Sequence, residues 1–313
     1  MRAITQDRLG GPEVLTEATL DRPEPGPTEI LVRVHAAGLN PVDVKSRAHG
    51  GFLGQPPFVL GWDVSGVVEE VGVGVTLFTP GDEVFGMPWF PRPAGAYADY
   101  VTAPARHFAA KPADLDHVHA AGLPLAGLTA WQALVDRARV QPGQRVLIHA
   151  AGGGVGHLAV QIAKARGAYV IGTARAAKHH LLRELGADEV IDYTAVDFAG
   201  AVEPVDVVID PIGGADGPRC LSVLRPGGVL VSLNSPAEQQ LAERAAVLGV
   251  RAGFLLVEPD RAGLLALAEL VTAGRLRVLI EAAMPLAEAA KAHELSETGR
   301  VTGKIVLTTG AGS

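Results

Sequence analysis

Cysteine is nearly absent: Cys220 is the only one in 313 residues. A single thiol excludes an intramolecular disulfide and any zinc site built from several cysteines. No apolar run approaches the roughly 20 residues that a membrane span needs. The first eight residues also lack the apolar core of an export signal, so a cytoplasmic protein is expected. Basic charge is not in excess. A net charge of −7 argues against nucleic acid or an anionic membrane surface as partner. There is no Gly-x-Ser-x-Gly elbow for a hydrolase, and no Gly-Lys-Ser/Thr for a nucleoside triphosphatase loop.

What the chain does have is a dense glycine turn. Val146 to His149 reads as a short buried strand, and Ala151, Gly152, Gly153, Gly154 and Gly156 follow it. Val155, Leu158, Ala159, Ile162 and Ala163 then recur at the spacing of one helix face. Ala151, Gly153 and Gly156 occupy the three positions of a dinucleotide fingerprint, with alanine in the first. Amides at the helix start, with Gly154 and Val155 among them, face the pyrophosphate in such a turn. The second strand, 168–173, ends at Thr173 and is followed by Ala174, Arg175 and, three residues on, Lys178. No carboxylate stands where one would bind ribose hydroxyls. Arg and Lys attract a 2′-phosphate instead, so the cofactor expected is NADPH.

Residues 1–118 carry short β-type runs separated by Pro- and Gly-rich turns, whereas 119–257 alternate strands and helices. Six strands with helical crossovers make an α/β doubly wound parallel sheet. Residues 258–313 end in an apolar strand, 304–308, expected to return to the first domain and make it discontinuous. His117 and His119, and the pair His179 and His180, have the spacing of metal ligands. No Cys or acidic cluster follows at ligand distance, so solvated faces are the reading adopted.

With these pieces placed, the sequence resembles a zinc-free medium-chain dehydrogenase/reductase of the quinone oxidoreductase or enone (alkenal) reductase type. The resemblance rests on Ala37-Gly-Leu-Asn-Pro-Val-Asp43, Gly61-Trp-Asp-Val-Ser-Gly66, Gly81-Asp-Glu-Val-Phe-Gly86, Gly95-Ala-Tyr-Ala-Asp-Tyr100, Gly127-Leu-Thr-Ala130, the glycine turn and Gly303-Lys-Ile-Val-Leu307. It implies a GroES-like β-barrel domain over 1–118 plus 258–313 and a Rossmann domain over 119–257. Zinc-dependent relatives have Cys where this chain has Asn40 and His where it has Trp62, so no metal is expected.

The resemblance further implies that Asn40 lies beside the nicotinamide and the substrate carbonyl; Lys45, in the same stretch, is a candidate electrostatic helper. The resemblance places Thr129 by the nicotinamide end of the cofactor and Tyr193 by its 2′-phosphate; Asn234 follows the fifth strand, where ligand loops of such sheets belong. Phe52, Trp62 and Trp89, with Phe90, are candidates for an apolar substrate wall. The activity implied is hydride transfer from NADPH to a quinone or an α,β-unsaturated carbonyl, with a homodimer formed through the cofactor domain. A zinc-free ketone or aldehyde reductase and a non-catalytic NADPH-binding module stay open as alternatives.

Overall fold

The computed structural model describes residues 1–234 and 239–310. The chain divides into two compact units. One comprises 129–257 and 273–277. The other comprises 1–128, 258–272 and the described residues from 278 onward. No helix among the described residues is long and apolar enough to cross a membrane.

The first of these is built on six parallel strands in the order Glu189–Ile191, Tyr169–Thr173, Arg145–Ile148, Val205–Asp210, Leu224–Ser232, Arg251–Phe254. Strand order reverses at Arg145–Ile148, and a ligand crevice opens at the carboxyl ends beside such a switch point. The strands are apolar because helices cover both faces of a parallel sheet; Val205–Asp210 is buried along its whole length. Leu147, Ile171, Val208 and Leu230 form the centre of that core, and Cys220 on helix Asp216–Ser222 is buried within it. The fifth strand begins five residues before the expected 229. Leu224 pairs with Val205 ahead of a bulge, a register that apolar alternation does not announce.

The other unit contains a seven-stranded sheet organised by one long strand, Glu29–Leu39. Its first half pairs with Tyr100–Pro104, and its second half pairs with Lys304–Thr308, antiparallel in both cases. The C-terminal strand therefore returns to the N-terminal β domain, with Ile305 opposite Leu39. The core here gathers Val32, Val34, Leu60, Val84, Phe108 and Leu307.

The units divide after Leu128 and not after residue 118. Helix His117–Ala121 packs on strands Glu29–Leu39 and Val64–Val71. A few residues later the backbone N–H of Leu125 donates to Asp63 at 2.6 Å. Residues 273–277 belong with the parallel sheet for a similar reason, because Gln161 bonds both the N–H and the carbonyl of Arg277. Main-chain polar groups must find partners wherever they are buried, and these partners decide the boundary.

Candidate active site

The long strand stops at Asn40 because Pro41 follows. Proline disfavours a helical conformation in the residue before it, yet suits the first position of a helix. Helix Pro41–His49 starts there, and Asp43 turns back to accept the N–H of Asn40 at 2.7 Å.

This turn aims the Asn40 side chain into a buried polar cluster. Asn40 Nδ2 donates to Asp63 Oδ2 at 2.8 Å, and Lys304 Nζ donates to Asn40 Oδ1 at 2.5 Å. Lys304 also donates to the carbonyl of Leu39 at 2.9 Å and reaches Asp63 at 3.4 Å. Asn40, Asp63 and Lys304 are 2%, 0% and 3% exposed. Lys304 thus pairs with Asp63, and its charge is also felt at the buried Asp43. Asp43 Oδ1 has no hydrogen-bond partner among the described residues. Burial pushes the Asp43 carboxyl up to about 7, with the N–H of Asn40 pulling it back and the charge of Asp63 pushing further. Burial raises Asp63 as well, and the Lys304 ammonium is the largest of the offsetting influences.

Sequence reasoning missed Lys304 and Asp63 as members of this site, although both stand in motifs it quoted. It nominated Lys45, which is exposed on helix Pro41–His49. The buried cation beside Asn40 belongs to Lys304. The aromatic wall is also redrawn. Phe52 is 49% exposed and meets Phe90 edge-on at 5.6 Å. Trp62 meets the other side of Phe90, but has no exposed surface and donates its indole N–H to the Arg92 carbonyl. It is core, not pocket wall. Trp89 stands apart from this cluster, in a left-handed backbone conformation (φ 57°), with its indole N–H on the Thr102 carbonyl and its ring against His107.

In the other unit, the strand Arg145–Ile148 runs into the glycine turn and helix Gly156–Ala165. Ala151 N donates to the carbonyl of Thr173, and Gly153 N to that of Ala150. A Cβ on Gly156 would lie 2.3 Å from the Ala150 oxygen and 2.7 Å from the Ala151 Cα, so only glycine lets helix and turn meet. At Gly153 a Cβ would meet nothing closer than the Ala150 oxygen at 3.2 Å, which leaves that face open to a ligand. Val155 caps the helix, beside Gly154. Thr173 is buried, its hydroxyl 3.1 Å from His149 Nδ1, while His149 Nε2 faces Cys220 at 3.3 Å.

The structure brings Arg175 and Tyr193 together on the exposed side, with Arg175 Nε donating to the Tyr193 hydroxyl at 3.1 Å. The Lys178 side chain crosses Gly152, where a Cβ would come within 2.7 Å of its Cδ. Lys178 thus adjoins the glycine turn, and Arg175 and Tyr193 form a pair of their own. Asn234 Nδ2 donates to the Ile212 carbonyl and ties the loops after the fourth and fifth strands together; Ser235 and Pro236 lie outside the described residues. Thr129 is buried on helix Pro124–Trp131. An open glycine face, a helix N-terminus and two cationic side chains fit a phosphorylated dinucleotide.

Zinc fits less well. His117, of the His117 and His119 pair, is half-buried and bonded to Ser65 and Glu83. Among the described residues no group of three or more His, Cys, Asp or Glu is placed to hold a metal ion. At Asn40 the donor set is an amide, an indole with no free lone pair and a carboxylate already facing an ammonium, whereas zinc takes thiolate, imidazole or free carboxylate.

Residues 26–113 match the family model of the alcohol dehydrogenase GroES-like domain, and residues 185–307 that of zinc-binding dehydrogenases. The chain is 37% identical to a 2-haloacrylate reductase from a Burkholderia species over 96% of both proteins. Among solved structures, the quinone oxidoreductase from Coxiella burnetii is similar at a TM-score of 0.94 and 41% identity, covering 99% of each chain. The Escherichia coli quinone oxidoreductase complexed with NADPH is similar at 0.87 and 29% identity, over 98% of this chain and all of that one.

Proposed function

We propose, for a chain that belongs to the medium-chain dehydrogenase/reductase family, an NADPH-dependent reduction of a quinone or of the activated double bond of an α,β-unsaturated carbonyl. Two observations support the cofactor choice: Lys178 lies against Gly152 of the glycine turn, and Arg175, paired with Tyr193, follows the second strand where the sequence has no carboxylate. The relatives named as quinone oxidoreductases and as a 2-haloacrylate reductase support the reaction class.

Bound NADPH supplies the hydride. Gly153 leaves its backbone open to the pyrophosphate, and the amides at the start of helix Gly156–Ala165 neutralise its charge. Arg175 and Lys178 hold the 2′-phosphate. Negative charge grows on the substrate oxygen as its carbon framework is reduced, and the second N–H of Asn40 donates to that oxygen. A donor fixed in advance costs no reorganisation when charge appears.

Two expected outcomes test this reading. Asn40→Ala lowers kcat on an enone, followed as loss of NADPH absorbance, by about 10²–10³-fold, the range for removal of one such donor. NADPH affinity stays near that of the parent. An unchanged kcat removes Asn40 from the chemistry. Replacing Arg175 and Lys178 together with alanine weakens NADPH by about 1–3 kcal/mol, or some ten- to hundredfold in Kd, and leaves NADH little affected. Equal affinity of the parent protein for NADH and NADPH refutes the assignment of these two residues.

A further inference from the structure

The two ends of an asparagine amide have nearly the same shape, so packing alone does not say which end faces where. At Asn40 the chemistry of the neighbours does. Lysine only donates hydrogen bonds and an ionised carboxylate only accepts them. Lys304 Nζ meets Asn40 at 2.5 Å and Asp63 Oδ2 meets it at 2.8 Å, so the carbonyl must face Lys304 and the NH2 group Asp63. A flipped amide would set donor against donor and acceptor against acceptor in a place no more than 3% exposed. The second N–H of Asn40 has no partner among the described residues.

We infer that Lys304 and Asp63 are positioning residues that hold the Asn40 amide with an N–H, and not its carbonyl, directed away from the cluster. The inference rests on the role proposed for Asn40. It makes the site selective for substrates whose charge builds on an acceptor oxygen, and unfavourable to reduction of a protonated imine, which needs an acceptor.

The fold holds the pair itself firmly. Lys304 is anchored on the Leu39 carbonyl and Asp63 Oδ1 on the Leu125 N–H. Gly38 makes room for them, since a Cβ there would lie 2.8 Å from Asp63 Oδ2 and 2.3 Å from the Ala121 oxygen. Gly303, at φ +71° and with no space for a Cβ beside the Leu279 oxygen, admits the turn from which Lys304 enters.

The test is a double-mutant cycle on the full-length protein: parent, Asn40→Ala, Lys304→Met and both, each assayed for kcat and KM on an enone and for NADPH Kd by fluorescence. If Lys304 acts through Asn40, each single change lowers kcat at least tenfold and the double variant is no slower than Asn40→Ala alone. NADPH Kd stays within a fewfold throughout. A double variant whose loss is the product of the two single losses overturns the inference while leaving Asn40 in the mechanism. Full activity of Asn40→Ala overturns both.

Lys304→Met leaves Asp63 without its cation and can prevent folding. Lys304→Arg keeps the charge, yet a planar fork does not reproduce three contacts made from one nitrogen. It is expected to fold, to bind NADPH as the parent does and to lose at least tenfold in kcat. Parental kcat in Lys304→Arg overturns the inference.

Discussion

Gly156→Val is expected to abolish measurable NADPH binding and to lower the melting temperature as well. The first atom of any side chain there would sit 2.3 Å from the Ala150 oxygen and within 2.8 Å of the Ala151 backbone. These are backbone atoms of the turn itself and cannot step aside. The helix must lift from the strand, and its N-terminal amides leave the position proposed for the phosphates together. Overpacking of this kind costs about 1–3 kcal/mol or more in stability. Gly153→Ala gives the informative contrast. Its Cβ would meet only the Ala150 oxygen, at 3.2 Å, so the free protein should melt near the parental temperature. If the pyrophosphate lies against Gly153, affinity for NADPH falls at least tenfold all the same. Titration calorimetry beside thermal melts separates the two effects. Parental affinity in Gly153→Ala would show that the phosphates lie elsewhere.

Asp43→Asn is expected to stabilise the protein at pH 8 and to do so less at pH 5. The Asp43 carboxyl moves from 3.8, its ordinary value, to about 7 in the fold, chiefly through burial. A raised value means that the folded state prefers the protonated form. The stability associated with that proton is complete below about pH 4 and is lost as pH rises through 7. At about 1.4 kcal/mol per unit, ionising Asp43 costs up to about 4 kcal/mol near pH 8. Asparagine keeps the oxygen that accepts the Asn40 N–H and carries no charge. Chemical denaturation of both proteins at several pH values measures the difference. A gap between variant and parent that does not change from pH 5 to pH 8 refutes the assignment.

The glycine turn could be read from the sequence because strand, turn and helix lie in one stretch of about 20 residues, and each leaves a local trace. The parallel sheet was legible for the same reason. The return of 304–308 to the first domain was legible as a need, an apolar strand without a partner, although its register against Leu39 was not. The polar cluster could not be read this way, since Asn40 and Lys304 are 264 positions apart and only pairing of the first long strand with the last brings them together. Lys45 looked the better helper by nearness in sequence, but it lies on a helix face that points outward. Trp62 shows a related limit. An aromatic residue in a glycine-flanked turn packs equally well on a pocket or in a core, and only its neighbours Phe90 and Arg92 decide.

A ribosome makes the two carboxylates of this cluster early and their lysine late. Until residue 304 is made, Asp63 lacks the ammonium it pairs with in the fold, and a buried carboxylate without a partner is costly. The second half of the long strand Glu29–Leu39 has Val64–Val71 on one edge and, on the other, only the last strand as its partner. The corner that holds Asn40 is thus complete only once residue 304 has been made, whereas the residues of the dinucleotide fold are contiguous apart from 273–277.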